Sequence, residues 1–212
     1  MTGHPRPRQG DLFPPSPPNL GGPSPEPLPF QRQQLVDWQE RLAAYQEPLW
    51  ADASAAEGAE EAEEGQASLA FAAPDPLDPT TRARTLRPLS LPAQSLAFWR
   101  WPQAPHQGPV LYFVLDRPAH LPLPLLLYVG ETARADRRWK GAHDCKSYLA
   151  AYREALARAD LGGSLSIRFW CEAPAATAAR RGLEQALIQR WKPPFNKETR
   201  GRWSTPFTAA LD

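Results

Sequence analysis

Tyr112, Tyr128, Arg138, Glu184 and Asn196 are reactive side chains, and each falls where a local pattern begins or ends. The segment 125–146, LLLYVGETARADRRWKGAHDCK, concentrates the signal. Its apolar run closes on Tyr128, Val129 and Gly130, and Gly130 permits a sharp exit. Arg137, Arg138, Lys140, His143 and Lys146 follow at once. A tyrosine at a rigid strand end beside clustered cations suits the handling of phosphate. Glu184, Ile188 and Trp191 follow i, i+4, i+7, so the carboxylate borders an apolar helix face. Asn196 comes just after the stop Pro193-Pro194. Taken singly, each residue has an ordinary explanation: strand tyrosines fill cores, helix glutamates are solvated, and charge runs are exposed faces.

Positioning these groups requires a small mixed domain. Val110–Leu115 and Leu125–Gly130 read as two strands that bring Tyr112 and Tyr128 onto neighbouring positions of one face. A helix is expected from near Asp136, continuing or restarting at Ser147, with Leu149, Tyr152 and Leu156 as its apolar face and Gly162-Gly163 as its end. Leu165, Ile167, Phe169 and Cys171 alternate with polar or outward residues, giving a third strand. A last helix spans about 175–191. The order β-β-α-β-α implies an α+β fold: a small, largely antiparallel three-stranded sheet flanked by helices. This folded body is expected over residues 95–205.

The preceding residues 1–94 read as an arm that is largely disordered. Of the 26 prolines, 16 lie in residues 1–95, and residues 51–73 form an acidic, alanine-rich linker. One amphipathic helix is expected at about 31–47, from Leu35, Trp38, Leu42 and Tyr45, ended by Pro48. Charge divides the same way. Residues 1–95 carry 7 Lys+Arg against 13 Asp+Glu, and residues 96–212 carry 17 against 10. The overall charge of +1 thus combines an acidic arm with a basic body, a pattern that points towards nucleic acid. Two cysteines, Cys145 and Cys171, are too few for a disulfide framework and fit a reducing compartment. Neither a signal peptide nor a membrane-length apolar run is visible, so no membrane partner and a cytoplasmic (nucleoid) location are expected.

Order and spacing give the five residues a common meaning. Over residues 108–197 the chain resembles the GIY-YIG nuclease family. Val110–Tyr112 stands for the first signature, Tyr128–Gly130 for the second, and Arg138 lies eight residues beyond Gly130. Leu183–Asn196, LEQALIQRWKPPFN, carries the family's helix glutamate and terminal asparagine. That block is similar to the nuclease domain of the nucleotide-excision-repair incision subunit. The sequence departs from the pattern at Val110, where the family has glycine, and in the Pro-rich loop between the signatures. Some members place a histidine four residues after the arginine, whereas here His143 comes five after.

The resemblance implies a DNA endonuclease that hydrolyses phosphodiester bonds with Mg²⁺ (or Mn²⁺), structure-specific and serving repair, recombination or replication. By the same resemblance Glu184 holds the metal, Tyr112 is the general base and Arg138 pairs with phosphate oxygens. Tyr128 orients water or phosphate, Asn196 fixes Glu184 or the helix end, and His143 is a further catalytic candidate. Arg137, Lys140, Lys146, Arg190, Lys192 and Lys197 are the expected contacts to the nucleic-acid backbone. The alternatives are an inactive nucleic-acid-binding or interaction module on the same fold, and a restriction or mobile-element endonuclease. In the arm, Gln9–Phe13 (QGDLF) resembles the short peptide by which bacterial polymerases and repair factors dock on the replication sliding clamp. Gln9, Leu12 and Phe13 would be its contacts.

Overall fold

The structure, a computed structural model, describes residues 29–60, 78–96, 106–138 and 144–205. Gln9, Leu12, Phe13, Lys140 and His143 lie outside the described residues.

Three strands form one antiparallel sheet in the order β2-β1-β3: β1 (Val110–Asp116), β2 (Leu125–Thr132) and β3 (Ser166–Trp170). The register places Tyr112 opposite Gly130 on β2 and opposite Phe169 on β3. An irregularity between Val114 and Leu115 shifts the β1–β2 pairing by one residue, as a β-bulge does. Alternation then gives the sheet two apolar faces, because β1 is buried along its whole length.

Tyr112, Val114, Leu125, Leu127, Ile167 and Phe169 face one core with α1 (Pro29–Glu60) and α4 (Asp144–Arg158). In α4 the expected stripe of Leu149, Tyr152 and Leu156 is buried there. Leu111, Phe113, Leu115 and Leu126 face a second core with α5 (Thr177–Trp191), from which Leu183, Leu187, Ile188 and Trp191 point inward. A short α2 (Pro79–Thr85) and a four-residue α3 (Ala135–Arg138) complete the helices, with a 3-10 turn at Pro88–Ser90. The fold is therefore the mixed α/β arrangement expected, with a three-stranded antiparallel sheet between helices.

The N-terminal part differs from the expectation in two respects. Pro48 does not end α1 but lies inside it. A proline inside a helix costs about 3 kcal/mol or more, while truncating a buried Trp to Ala typically costs about 3–5 kcal/mol. Packing beyond the proline is of that size. Trp50 packs tilted, at 47°, against Trp191 with centroids 4.1 Å apart, and its Nε1 donates to Pro124 O at 3.1 Å. The second difference concerns where folded structure starts. Trp38 and Leu42 of α1 are wholly buried in the first core, well before Ser95. Residues 78–96 also carry structure: Asp78 caps α2 at Thr81 N, and Gln94 bridges to Ile167 with two backbone hydrogen bonds.

Candidate active site

An edge strand leaves a row of backbone N–H and C=O groups unpaired. On the outer side of β2, side chains and backbone from distant parts of the chain occupy that row. Gln46 of α1 donates to Leu126 O at 2.9 Å and accepts from Leu126 N at 2.8 Å. Phe195 N donates to Leu127 O at 3.0 Å. Asn196 accepts from Val129 N at 3.0 Å and donates to Val129 O at 2.8 Å. Glu184 accepts at Oε1 from Glu131 N at 3.0 Å. The chain turns back to this edge because Lys192 caps α5 in the left-handed conformation (φ 46°), with Pro193 and Pro194 preventing helix continuation.

Beside this edge lies a cleft of about 400 Å³, lined among others by Tyr128, Arg138, Glu184, Asn196 and Lys197. Tyr112 stands behind it. The Tyr112 and Tyr128 rings are nearly parallel, at 23°, with centroids 6.0 Å apart. A Cβ on Gly130 would sit 2.3 Å from Tyr112 Cζ, so glycine there gives the phenol ring its place over β2. Arg138 Nε donates to the Tyr112 hydroxyl at 3.2 Å. α3 is thereby tied to the middle of the sheet by its last residue.

The charges here are interdependent. Burial drives the Glu184 carboxyl up to about 7, Glu131 adds to the rise, and the Glu131 N–H and Arg138 oppose it. Burial likewise raises Tyr112 well above the ordinary phenol range, against the pull of Arg138, and Glu184 adds to the rise. Tyr128 is raised too, by burial first and Tyr112 next. Burial works against the Arg138 charge, but the two tyrosines outweigh it, and its pKa is raised. The result is a firmly cationic guanidinium between two neutral phenols, facing a carboxyl that releases its proton near neutrality.

Glu131 was not among the expected site residues, although it directly follows Gly130. Its carboxylate pairs with Arg180 Nε at 2.6 Å, and Arg180 is almost wholly buried, donating also to Pro174 O and Ala175 O. The pair fixes the start of α5 against the end of β2, which sets the position of Glu184. Tyr148, Phe195 and Arg200 also line the cleft, with Tyr148 and Phe195 stacked at 5.9 Å and Arg200 bonded to the Tyr148 hydroxyl. No periodicity argument singles them out, because they come from separate elements.

Among the expected cations that are described, Arg138 and Lys197 line the cleft and the others do not. Arg137 is exposed and lies 3.7 Å from Asp136. Lys146 is partly buried, which lowers its pKa. Arg190 turns towards α1, where it lies 3.5 Å from Asp52 and its carbonyl accepts from Tyr45. Lys192 donates to Gln189. Asn196 bonds β2 backbone rather than Glu184, so its place in the site is that of an anchor.

Among the described residues no cluster of three or more His, Cys, Asp or Glu is arranged for a metal ion. Mg²⁺ does not need one, since it commonly takes one or two carboxylates and keeps waters and substrate phosphates as its other ligands. Glu184 fits that use: a hard oxygen donor on the cleft wall whose buried charge a cation would stabilise. Among the described residues no helix is long and apolar enough to cross a membrane. Compared with protein-family models, with curated proteins and with solved structures, the chain matches none.

Proposed function

We propose that this chain is a Mg²⁺-dependent endonuclease of the GIY-YIG kind, cleaving DNA at branched, nicked or damaged structures. One observation carries the reading. Tyr128, Arg138, Glu184 and Asn196, drawn from four separate stretches, border a single cleft, and Tyr112 reaches it through its bond to Arg138. Those are the five positions that the sequence resemblance selects.

In the proposed reaction a water oxygen attacks phosphorus and the bond to the 3′ oxygen breaks, leaving a 5′ phosphate and a 3′ hydroxyl. Mg²⁺ held by Glu184 supplies charge stabilisation at the phosphoryl oxygens and the leaving oxygen. Arg138 pairs with phosphate oxygens, held in place by Tyr112 and Tyr128. Tyr128, at the cleft wall, orients the attacking water through its hydroxyl. Tyr112 as general base needs its phenolate, which burial and the Glu184 charge disfavour and Arg138 favours. Neutralising Glu184 lowers the Tyr112 pKa, so cation binding and proton acceptance are coupled in sign. Asn196 keeps Glu184 in register with β2 by holding the chain beyond α5 to the same edge.

The rival reading, a nucleic-acid-binding or interaction module without turnover, has one observation in its favour: Tyr112 has no exposed surface. A panel of plasmid, flap, fork, nicked and single-stranded DNA with Mg²⁺ or Mn²⁺ separates the two. The endonuclease reading expects cleavage of at least one substrate, abolished in Glu184→Ala with binding and its salt dependence retained. DNA bound by the wild-type chain but cut under no condition would leave the module. The sliding clamp remains a proposed partner through Gln9, Leu12 and Phe13, tested by titrating a peptide of residues 7–17 against the clamp.

A further inference from the structure

A second cleft, of about 360 Å³, opens at the end of β3, the strand at the opposite edge of the sheet from β2. Arg82, Thr85, Leu86, Arg87, Ser90, Leu91 and Trp170 line it, so among the described residues its charge is wholly positive. The Arg82 guanidinium lies over the Trp170 ring, 5.2 Å from the centroid. Among the described residues it makes no hydrogen bond or ion pair, leaving a full charge and a planar fork unmatched. The wall is built rather than loose. Arg168 Nη1 donates to Leu89 O at 2.6 Å and to Leu91 O, which pins the segment after α2 to β3.

We propose that this cleft binds a single-stranded segment of nucleic acid, a choice of ligand that rests on the endonuclease reading above. An aromatic ring stacked with an arginine is a platform on which an unpaired base stacks, whatever its sequence. Arg82 is then the phosphate contact, through a fork that matches two phosphate oxygens, and Arg87 adds positive charge to the wall. A base within a duplex is not free to stack there, so the site distinguishes frayed or displaced strands from intact DNA. Its position relative to Glu184 suits that task. Leu111 pairs with Trp170 on one side and with Glu131 on the other, and Glu131 N bonds Glu184. Glu131 and Trp170 are thus level in the sheet, with backbones about 10 Å apart at two strand spacings.

The test is a fluorescence-anisotropy titration of labelled oligothymidylate against the full chain in EDTA, where nothing is cut. Wild type is compared with Arg82→Gln, Arg82→Lys and the exposed control Arg41→Gln, each checked for an unchanged unfolding midpoint. Arg82→Gln should weaken binding about tenfold, within the range for one stacked base, and flatten the salt slope by about 0.7, as for one phosphate of a single strand. Arg41→Gln should stay within about twofold of wild type, as an exposed charge on α1 that does not line the cleft. Arg82→Lys keeps the charge and loses the planar fork, so it should weaken binding with the salt slope unchanged, and it decides the matter if Arg82→Gln fails to fold. Three results would overturn the proposal: no binding by wild type, equal losses in Arg82→Gln and Arg41→Gln, or an Arg82 dependence seen with polyglutamate and not with the oligonucleotide. Because no cleavage enters the readout, a chain inactive on every substrate can still bind here, and an active one can fail to.

Discussion

Asn196 and Val129, 67 residues apart, exchange two hydrogen bonds at 3.0 and 2.8 Å. Val129 offers its outward N–H and C=O on the free side of β2, and the amide of Asn196 supplies both complements. Glu131, the next outward residue of that strand, holds Glu184 by the same kind of contact. One strand edge thereby dictates where the carboxylate stands.

Asn196→Ala should cost stability before it costs chemistry. It leaves a buried N–H and a buried C=O unpaired at about 1–3 kcal/mol each, so urea denaturation should show a loss of about 2–6 kcal/mol. An unchanged midpoint would mean that water takes over both bonds and that the anchor is not needed.

Gly130→Ala should be destabilising, although alanine is ordinarily the better strand residue. Its methyl would meet the Tyr112 ring at 2.3 Å, and Tyr112 is wholly buried with little room to retreat. Overpacking of this kind costs about 1–3 kcal/mol. In a double-mutant cycle, Tyr112→Ala should recover most of the loss caused by Gly130→Ala. Additive effects would show that the two residues do not press on each other.

Glu184 should make folding stability fall with rising pH. Its carboxyl titrates near 7 in the folded chain against an ordinary 4.5. Below pH 4.5 both states keep the proton and the contribution is complete. It is lost as pH rises towards 7, because the unfolded chain releases its proton first. Buried Asp116 is shifted in the same direction, so the comparison needs Glu184→Gln. In EDTA, that variant should show a flatter profile from pH 4.5 to 7 and be the more stable protein above pH 7. Parallel profiles for the two proteins would remove Glu184 as the source.

Removing residues 1–90 should yield an insoluble or unfolded chain. The deletion strips Trp38 and Leu42 from the first core, Trp50 from the second, and the Gln46 bonds from Leu126. Removing residues 1–28 alone leaves α1 whole and should preserve the circular dichroism of the intact chain. A soluble, cooperatively melting product of the longer deletion would show that the sheet needs neither α1 nor α2.

The strands and α5 were legible because each has one dominant signal: apolar runs or alternation for the strands, and the Pro-Pro stop for the helix. The order of the proposed site residues singled them out, and four of them line one cleft. Hidden from the sequence were the contacts between elements. Pro48 is a local stop signal that loses to Trp50 packing on Trp191, which no window of sequence contains. Gln39 and Gln46 are polar positions on α1, yet both are buried: Gln39 bonds the Tyr152 hydroxyl and Gln46 caps β2. α2 had a readable start in Asp78-Pro79, a capping residue before a proline at the first turn, which the surrounding prolines obscured. The buried Arg180, partnered by Glu131, looked like any surface arginine in a helix.

The occupied edge of β2 also governs how this sheet meets other sheets. Groups at Leu126, Leu127, Val129 and Glu131 are already bonded, so a neighbouring molecule finds no free template there on which to zip a strand. Among the described residues, Gln94 makes a short bridge to Ile167 on the outward side of β3. Growth of the sheet, whether by a fused peptide or by a second copy, is therefore blocked at β2, which leaves the Glu184 cleft open.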